Sequence, residues 1–242
     1  MDTELKPLVG EQIWLSERPI SFFGARLRAR TTVVRLEGGQ LWVHSPPSPT
    51  PAFQEQLAAL GTVKWLVVPN RFHHLEMPAF RTAYPEATVV GPKSALARNP
   101  KLKIDKFLGE AGVTHPEELE ALPIAGVPFL DETTFFHRPT ATLIGCDMLI
   151  CACVRDHWTW RYVAKLSGRY DKLGIPPEVW LMTRRRDETA RAIDDILARP
   201  IQQLSVAHAD LVVDRPREKL AAAWKFVLGK WTDGSVTKPP GT

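Results

Sequence analysis

His73 and His74 stand side by side after a short apolar run, in VKWLVVPNRFHHL, residues 63–75. Imidazoles at the end of a strand can ligate a metal or act as a general base, because a rigid sheet holds them while solvent reaches them. Three other polar groups occupy the same kind of position. They are His44 in Val43-His44-Ser45, Asp147 at the end of TLIGCD, and His208 in Ala207-His208-Ala209-Asp210. Imidazole and carboxylate together are ligand types that zinc, iron and manganese accept. Each residue also has a plainer role open to it. Adjacent histidines point in different directions, so one is usually idle; Asp147 can cap the next segment, and His208 can be a satisfied core histidine.

The elements that must carry these residues follow from local pattern. ARTTVVRLEGG and QLWVHSPP form an expected hairpin, with Gly38-Gly39 as its turn. SPPSPTP stops further pairing. Thr50 then offers an N-cap, Pro51 takes the first helical position, and Phe53, Leu57 and Leu60 form an apolar stripe ended by Gly61. VKWLVVPN is nearly continuous in apolar residues, as a buried parallel strand is. A short helix in MPAFRTAY and a strand in ATVVGP come next, and residues 93–120 have the composition of a loop.

ETTFFHRPTATLIGCDMLI, residues 132–150, predicts a second hairpin turning at residues 138–141. A turn centred on Pro139-Thr140 sets Phe136 opposite Leu143 and Glu132 beside Asp147. Glu132 thereby joins the candidate ligands. His137 falls five residues away, roughly 16 Å along the strand, too far to ligate; it is structural in this reading. Residues 150–185 give little pattern. Two helices follow, DETARAIDDILAR with Asp187 as cap and REKLAAAWKFVLG ended by Gly229, with the strand QLSVAHADLVV between them. His44 is a candidate donor behind the ligands; His115 and His157 fall in polar loops.

Bulk properties narrow the class. The chain has 242 residues and a formal charge of +4, which demands neither nucleic acid nor an anionic membrane as partner. No apolar run reaches the roughly 18–20 residues that span a bilayer, and the acidic, polar start MDTELKPLVGEQ is unlike a signal peptide. Cys146, Cys151 and Cys153 are an odd, clustered set, expected as reduced, buried thiols of a cytoplasmic protein. Dinucleotide, P-loop, GxSxG and paired CxxC motifs are absent from the sequence. Arg184, Arg185 and Arg186 precede an acidic helix start and are expected as a solvated face.

Four segments, taken in order, resemble the metallo-β-lactamase-fold superfamily, and within it the branch described as DUF4336. RTTVVRLEGGQLWVHSP is similar to the opening hairpin, with His44 where an aspartate is usual; VKWLVVPNRFHHL lies over the strand that ends in HxHxDH; TATLIGCDML places the bridging aspartate on Asp147; and LSVAHADLV places the last ligand on His208. The departures are as specific. Asn70 and Phe72 stand where the first two histidines would be, and no histidine occurs near Gly126-Val127, the other expected ligand position.

The resemblance implies an α/β fold, a four-layer αββα sandwich, over one domain (residues 1–233); the tail (234–242) is expected to be disordered from its composition. It implies a reduced, mononuclear divalent-metal site, zinc first and iron or manganese as alternatives, held by His73, His74, Asp147 and His208 with Glu132 as a fifth candidate. His73, His74 and Asp147 would be the catalytic groups, and His44, Asn70 and Asp210 would stand behind the ligands. The implied activity is hydrolysis of a small-molecule ester, lactone or phosphoester. The alternative is a protein that has lost its ligands, holds no metal, and binds a small molecule or a protein partner without catalysis. Neither nucleic acid nor membrane is expected as partner.

Overall fold

The computed structural model describes residues 4–110, 116–229, 231–232 and 235–236. Its larger sheet has seven strands in sequence order: β1 (Lys6–Val9), β2 (Ile13–Phe22), β3 (Ala25–Arg35), β4 (Gln40–His44), β5 (Thr62–Val67), β6 (Thr88–Gly91) and β7 (Lys106–Phe107). The first four are antiparallel and the rest parallel. The second sheet has the order β11-β10-β9-β8, from β8 (Leu119–Pro123), β9 (Thr133–His137), β10 (Thr142–Ile144) and β11 (Gln203–Ser205).

The layers follow from which face of each strand is apolar. Along β4 and β5, Leu41, Val43, Val63 and Leu66 point outward onto α1 (Pro51–Leu60) and α2 (Met77–Ala83), where Phe53, Leu57, Met77 and Phe80 cover them. Trp42 and Val67 point inward and meet Phe135 and Ile144 of the other sheet. Trp42 and Phe135 pack edge to face, 4.9 Å between ring centroids. The far side of the second sheet, with Phe136 and Leu143, lies under α5 (Pro177–Met182), α6 (Arg186–Leu197), α7 (Pro216–Ala223) and α8 (Lys225–Leu228). This is the expected αββα sandwich. Two smaller helices complete it, α3 (Ser94–Arg98) and α4 (Trp158–Leu166), the latter packed on β3 through Trp160 and Ala164.

Local signals were met where local chemistry decides. Thr50 Oγ1 accepts from Phe53 N at 3.3 Å, and Gly61 ends α1. Leu143 lies opposite Phe136, the register expected from the turn. Other expectations change. Residues 93–120 are not mere loop, since α3, β7 and part of β8 lie there. Asp187 sits in the first turn of α6, which Arg185 precedes without a side-chain cap. The last helix breaks at Trp224, whose fully buried ring turns the chain. Cys146 is buried as expected, whereas Cys151 and Cys153 are only half-buried. Residues 231–232 and 235–236 of the end region pair as β12 and β13, and 233–234 and 237–242 lie outside the described residues, as does His115.

His137 is structural, as expected, and is held by hydroxyl groups of the turn. Its Nδ1 meets Thr140 Oγ1 at 2.8 Å, and that oxygen meets Thr142 Oγ1 at 2.8 Å. Burial pushes its pKa down from 6.5 to about 4. A folded-state value below the unfolded one means that the neutral ring's stability is fully present above pH 6.5 and is lost as pH falls toward 4. The loss is roughly 3 kcal/mol. Urea unfolding should therefore show His137→Asn losing about 2–3 kcal/mol less than wild type between pH 7 and pH 4.5; equal losses would contradict it.

Candidate functional site

The two sheets are laced together at one rim, and the polar strand ends meet there. Thr133 N donates to Pro69 O at 3.0 Å and Arg30 N to Ala207 O at 3.0 Å, so the chain after β5 meets β9 and β3 meets the chain after β11. His73, Asp147 and His208 converge, with their ligand atoms all within 4.8 Å of one another. Asp147 Oδ1 lies 3.3 Å from His73 Nε2 and 2.9 Å from His208 Nε2.

Each imidazole is aimed by its other nitrogen. His73 Nδ1 meets Ser45 Oγ at 2.7 Å, and His208 Nδ1 lies 2.5 Å from the backbone oxygen of Arg28. A carbonyl only accepts, so His208 Nδ1 carries a hydrogen and Nε2 faces Asp147. Ser45 is itself fixed despite a left-handed φ of 52°. Its N–H donates to Val67 O at 3.0 Å and its C=O accepts from Thr31 Oγ1 at 2.7 Å. Neither Ser45 nor Arg28 was expected as a site residue. Ser45 left a faint trace, being next to His44 at a strand end; a backbone carbonyl leaves none.

Asn70 and Glu132 set the loop geometry. Asn70 Nδ2 donates to Asp147 Oδ2 at 2.8 Å and to Glu132 Oε2 at 2.9 Å, while its Oδ1 accepts from the N–H groups of Phe72 and His73 at 2.9 and 3.0 Å. Glu132 accepts from the backbone N–H groups of Cys146, Asp147 and Met148 at 2.8, 2.8 and 3.3 Å. Glu132 is therefore close to Asp147, as the hairpin register implied, yet its lone pairs are already committed. It holds the loop and is not a free ligand. Cys146 also lies near these carboxylates, but burial and their charges push its thiol pKa well up, leaving it protonated.

The other expectations separate. His74 is buried beside the cluster and is not among the three converging groups; its Nδ1 has no hydrogen-bond partner, and burial lowers its pKa. Of the two neighbours in the turn after Asn70, His73 is the one that reaches Asp147. His44 is wholly buried between the sheets, stacked on Trp42 at 5.4 Å, with Nε2 unpartnered and its pKa pushed down to about 3 by burial and the charge of His73. It donates to no ligand. Asp210 belongs to a neighbouring ion network, meeting Arg155 and, at 2.8 Å, Arg28 Nη1. His157 caps α4, accepting from Thr159 N at 3.3 Å.

Electrostatics follow from these contacts. Burial alone would raise the Asp147 pKa, but the charge of His73 and the hydrogen bonds from His208 and His73 outweigh it and hold it well below the usual carboxylate range. Burial would lower His208, but Asp147 and the Arg28 carbonyl raise it. Glu132 is raised by burial and by the Asp147 charge, against the pull of its N–H donors.

The three converging residues fit a divalent ion. Histidines that ligate metals commonly have the second nitrogen bonded to an oxygen, as both do here. Three protein ligands suit a catalytic ion with an open position and fall short of a structural tetrad. At one position where the resemblance looks for a further ligand, packing leaves no room. A Cβ built on Gly126 would lie 2.3 Å from Thr189 Oγ1 and 2.4 Å from Arg185 O, leaving no room for a side chain there.

The cluster opens into a cavity of about 790 Å3. Its walls are mostly apolar, including Ile20, Leu27, Phe72, Leu130, Ile150 and Trp160, with Arg18, Arg98, Glu76 and Glu178 as its charged members besides Asp147. Among the described residues, no helix is long and apolar enough to cross a membrane.

Residues 10–95 match the family model described as Domain of unknown function (DUF4336). No curated protein matches the chain. Among solved structures, a metallo-beta-lactamase from Pontibacter korlensis is similar over 94% of this chain and 100% of its own, with a TM-score of 0.62 at 12% identity. One from Hirschia baltica is similar over 93% and 97%, with a TM-score of 0.64 at 11% identity. Such low identities speak for the fold alone. The two packed sheets with helices on both outer faces agree with that likeness: the chain has the metallo-β-lactamase fold, and its residues 10–95 carry the DUF4336 pattern.

Proposed function

We propose that the chain is a metal-dependent hydrolase with one divalent ion, acting on an ester, lactone or phosphoester. The observation carrying this reading is the convergence of His73, Asp147 and His208 on one point, each imidazole aimed by an oxygen behind it. When bound, a divalent ion lowers the pKa of water toward neutrality and polarises the substrate's carbonyl or phosphoryl oxygen. His73 Nε2, Asp147 Oδ1 and His208 Nε2 would hold it. Asp147 keeps its charge at neutral pH, as a ligand must. In the arrangement seen here His208 faces Asp147 with Nε2, and any proton there has to leave before that nitrogen can ligate.

A single ion is favoured over two. The Asn70 amide already donates to Asp147 Oδ2, the oxygen that a second ion would need. His74, neutral in the cavity wall with an uncommitted Nδ1, is the base this reading assigns. Zinc is the first candidate, with iron and manganese open, since imidazole and carboxylate suit all three.

Metal analysis after supplemented expression tests the reading. About one equivalent per chain is expected, together with hydrolysis of an ester, lactone or phosphoester panel that chelation abolishes and the metal restores. His74→Ala should retain the metal and lose about 100-fold or more in kcat; loss of metal in that variant would make His74 a ligand instead. Traces of metal well below one equivalent would favour the non-catalytic binding protein, the reading that the missing ligands at Asn70, Phe72 and Gly126 support.

A further inference from the structure

Arg18 lies on β2 opposite Ala29, one residue from Arg28, whose carbonyl aims His208. It faces the same cavity as His73, Asp147 and His208. Its Nη1 is buried and has no hydrogen-bond partner. The cavity's other charged side chains are placed differently. Glu76 accepts from Ser48 Oγ at 2.9 Å and acts on Arg18 only at a distance; Arg98 stacks over the Phe72 ring at 4.9 Å; Glu178 lies in the first turn of α5. Burial works against the Arg18 charge and Glu76 offsets it only in part, so the side chain's pKa is lowered.

A guanidinium held unpaired against apolar walls presents a planar fork of donors suited to carboxylate or phosphate. The walls around it are mostly apolar. Lining the cavity where it meets solvent, Phe22 at the end of β2 and Phe23 in the turn after it are 52% and 96% exposed, and Leu75 is 77% exposed. These side chains offer a chain-like ligand an apolar path from solvent to Arg18.

We propose that the cavity takes an amphiphilic anion, an acyl or alkyl chain bearing a carboxylate or phosphate, with Arg18 on the anionic group and the chain along the Ile20, Leu27 and Trp160 wall. The inference rests on the cavity being the substrate site, and it names the class of substrate. Its test measures binding to the chelator-treated, full-length protein, so a failed hydrolase reading leaves the outcome readable. The probes are hexanoate, octanoate and decanoate, octyl phosphate, and octanol, each below its micelle concentration and followed by calorimetry.

Affinity should rise about three- to fourfold per added methylene along the carboxylate series, and octanoate or octyl phosphate should bind at least tenfold tighter than octanol. The carboxylate and phosphate arms then identify the preferred anion. Arg18→Met should erase the preference for the anion while leaving octanol binding unchanged. A flat chain-length series overturns the proposal without any variant. So does an anion preference that survives Arg18→Met, or an Arg18→Met protein that weakens octanol and octanoate alike.

Discussion

Asp147→Ala is expected to lower metal affinity by more than about 100-fold and to abolish metal-dependent turnover. Loss of an outer hydrogen-bond partner of a ligand typically costs 10–100-fold, and Asp147 is the centre of the set, touching both imidazoles through one oxygen. Its removal leaves His73 and His208 with no anion between them, so the cluster loses its charge balance as well as one donor. The Asn70 amide also loses a partner, although Glu132 still accepts from it. Titration with zinc against a competing chelator gives the affinity, and circular dichroism checks that the fold survives. An affinity within tenfold of wild type would place the ion elsewhere.

Glu132→Gln is the second large effect, this time on stability. The carboxylate is 2% exposed and accepts three backbone N–H groups and the Asn70 amide. Glutamine conserves the volume but turns one end into a donor, which then faces donors. Leaving a buried N–H donor without its acceptor costs about 1–3 kcal/mol, and urea unfolding should show a loss of about 2–3 kcal/mol. The Asp147 loop should loosen with it, so metal affinity falls too. A loss under about 1 kcal/mol would mean that the N–H groups find water in place of the carboxylate.

Much of the fold was legible because it rests on neighbours in sequence. The Thr50-Pro51 helix start, the apolar run of β5 and the 138–141 turn each declare themselves within a few residues. The turn even carried tertiary information, placing Glu132 by Asp147. Other parts depend on distant packing. The long strand β2 holds Glu17, Arg18 and Pro19, polar or ladder-breaking types whose place in a sheet is decided by pairing with β3. The strands β7 and β8 are short and escape any periodicity.

The site divides the same way. Residue type and strand-end position pointed to His73, Asp147 and His208, which the structure brings together. Which of two adjacent histidines would turn inward depends on the Asn70 side chain capping the turn, and periodicity does not encode that. The supports came from far along the chain: Ser45 for His73 across 28 residues, and Arg28 for His208 across 180.

The amide at position 70 joins two traits that would otherwise vary separately. One side chain latches the histidine turn and also fills the slot beside Asp147, so the room that the proposed site leaves for a second ion and the shape of the turn are inherited together. Reinstating a histidine there would supply a donor and unfasten the latch in the same stroke. A binuclear descendant of this chain would have to rebuild that bend first.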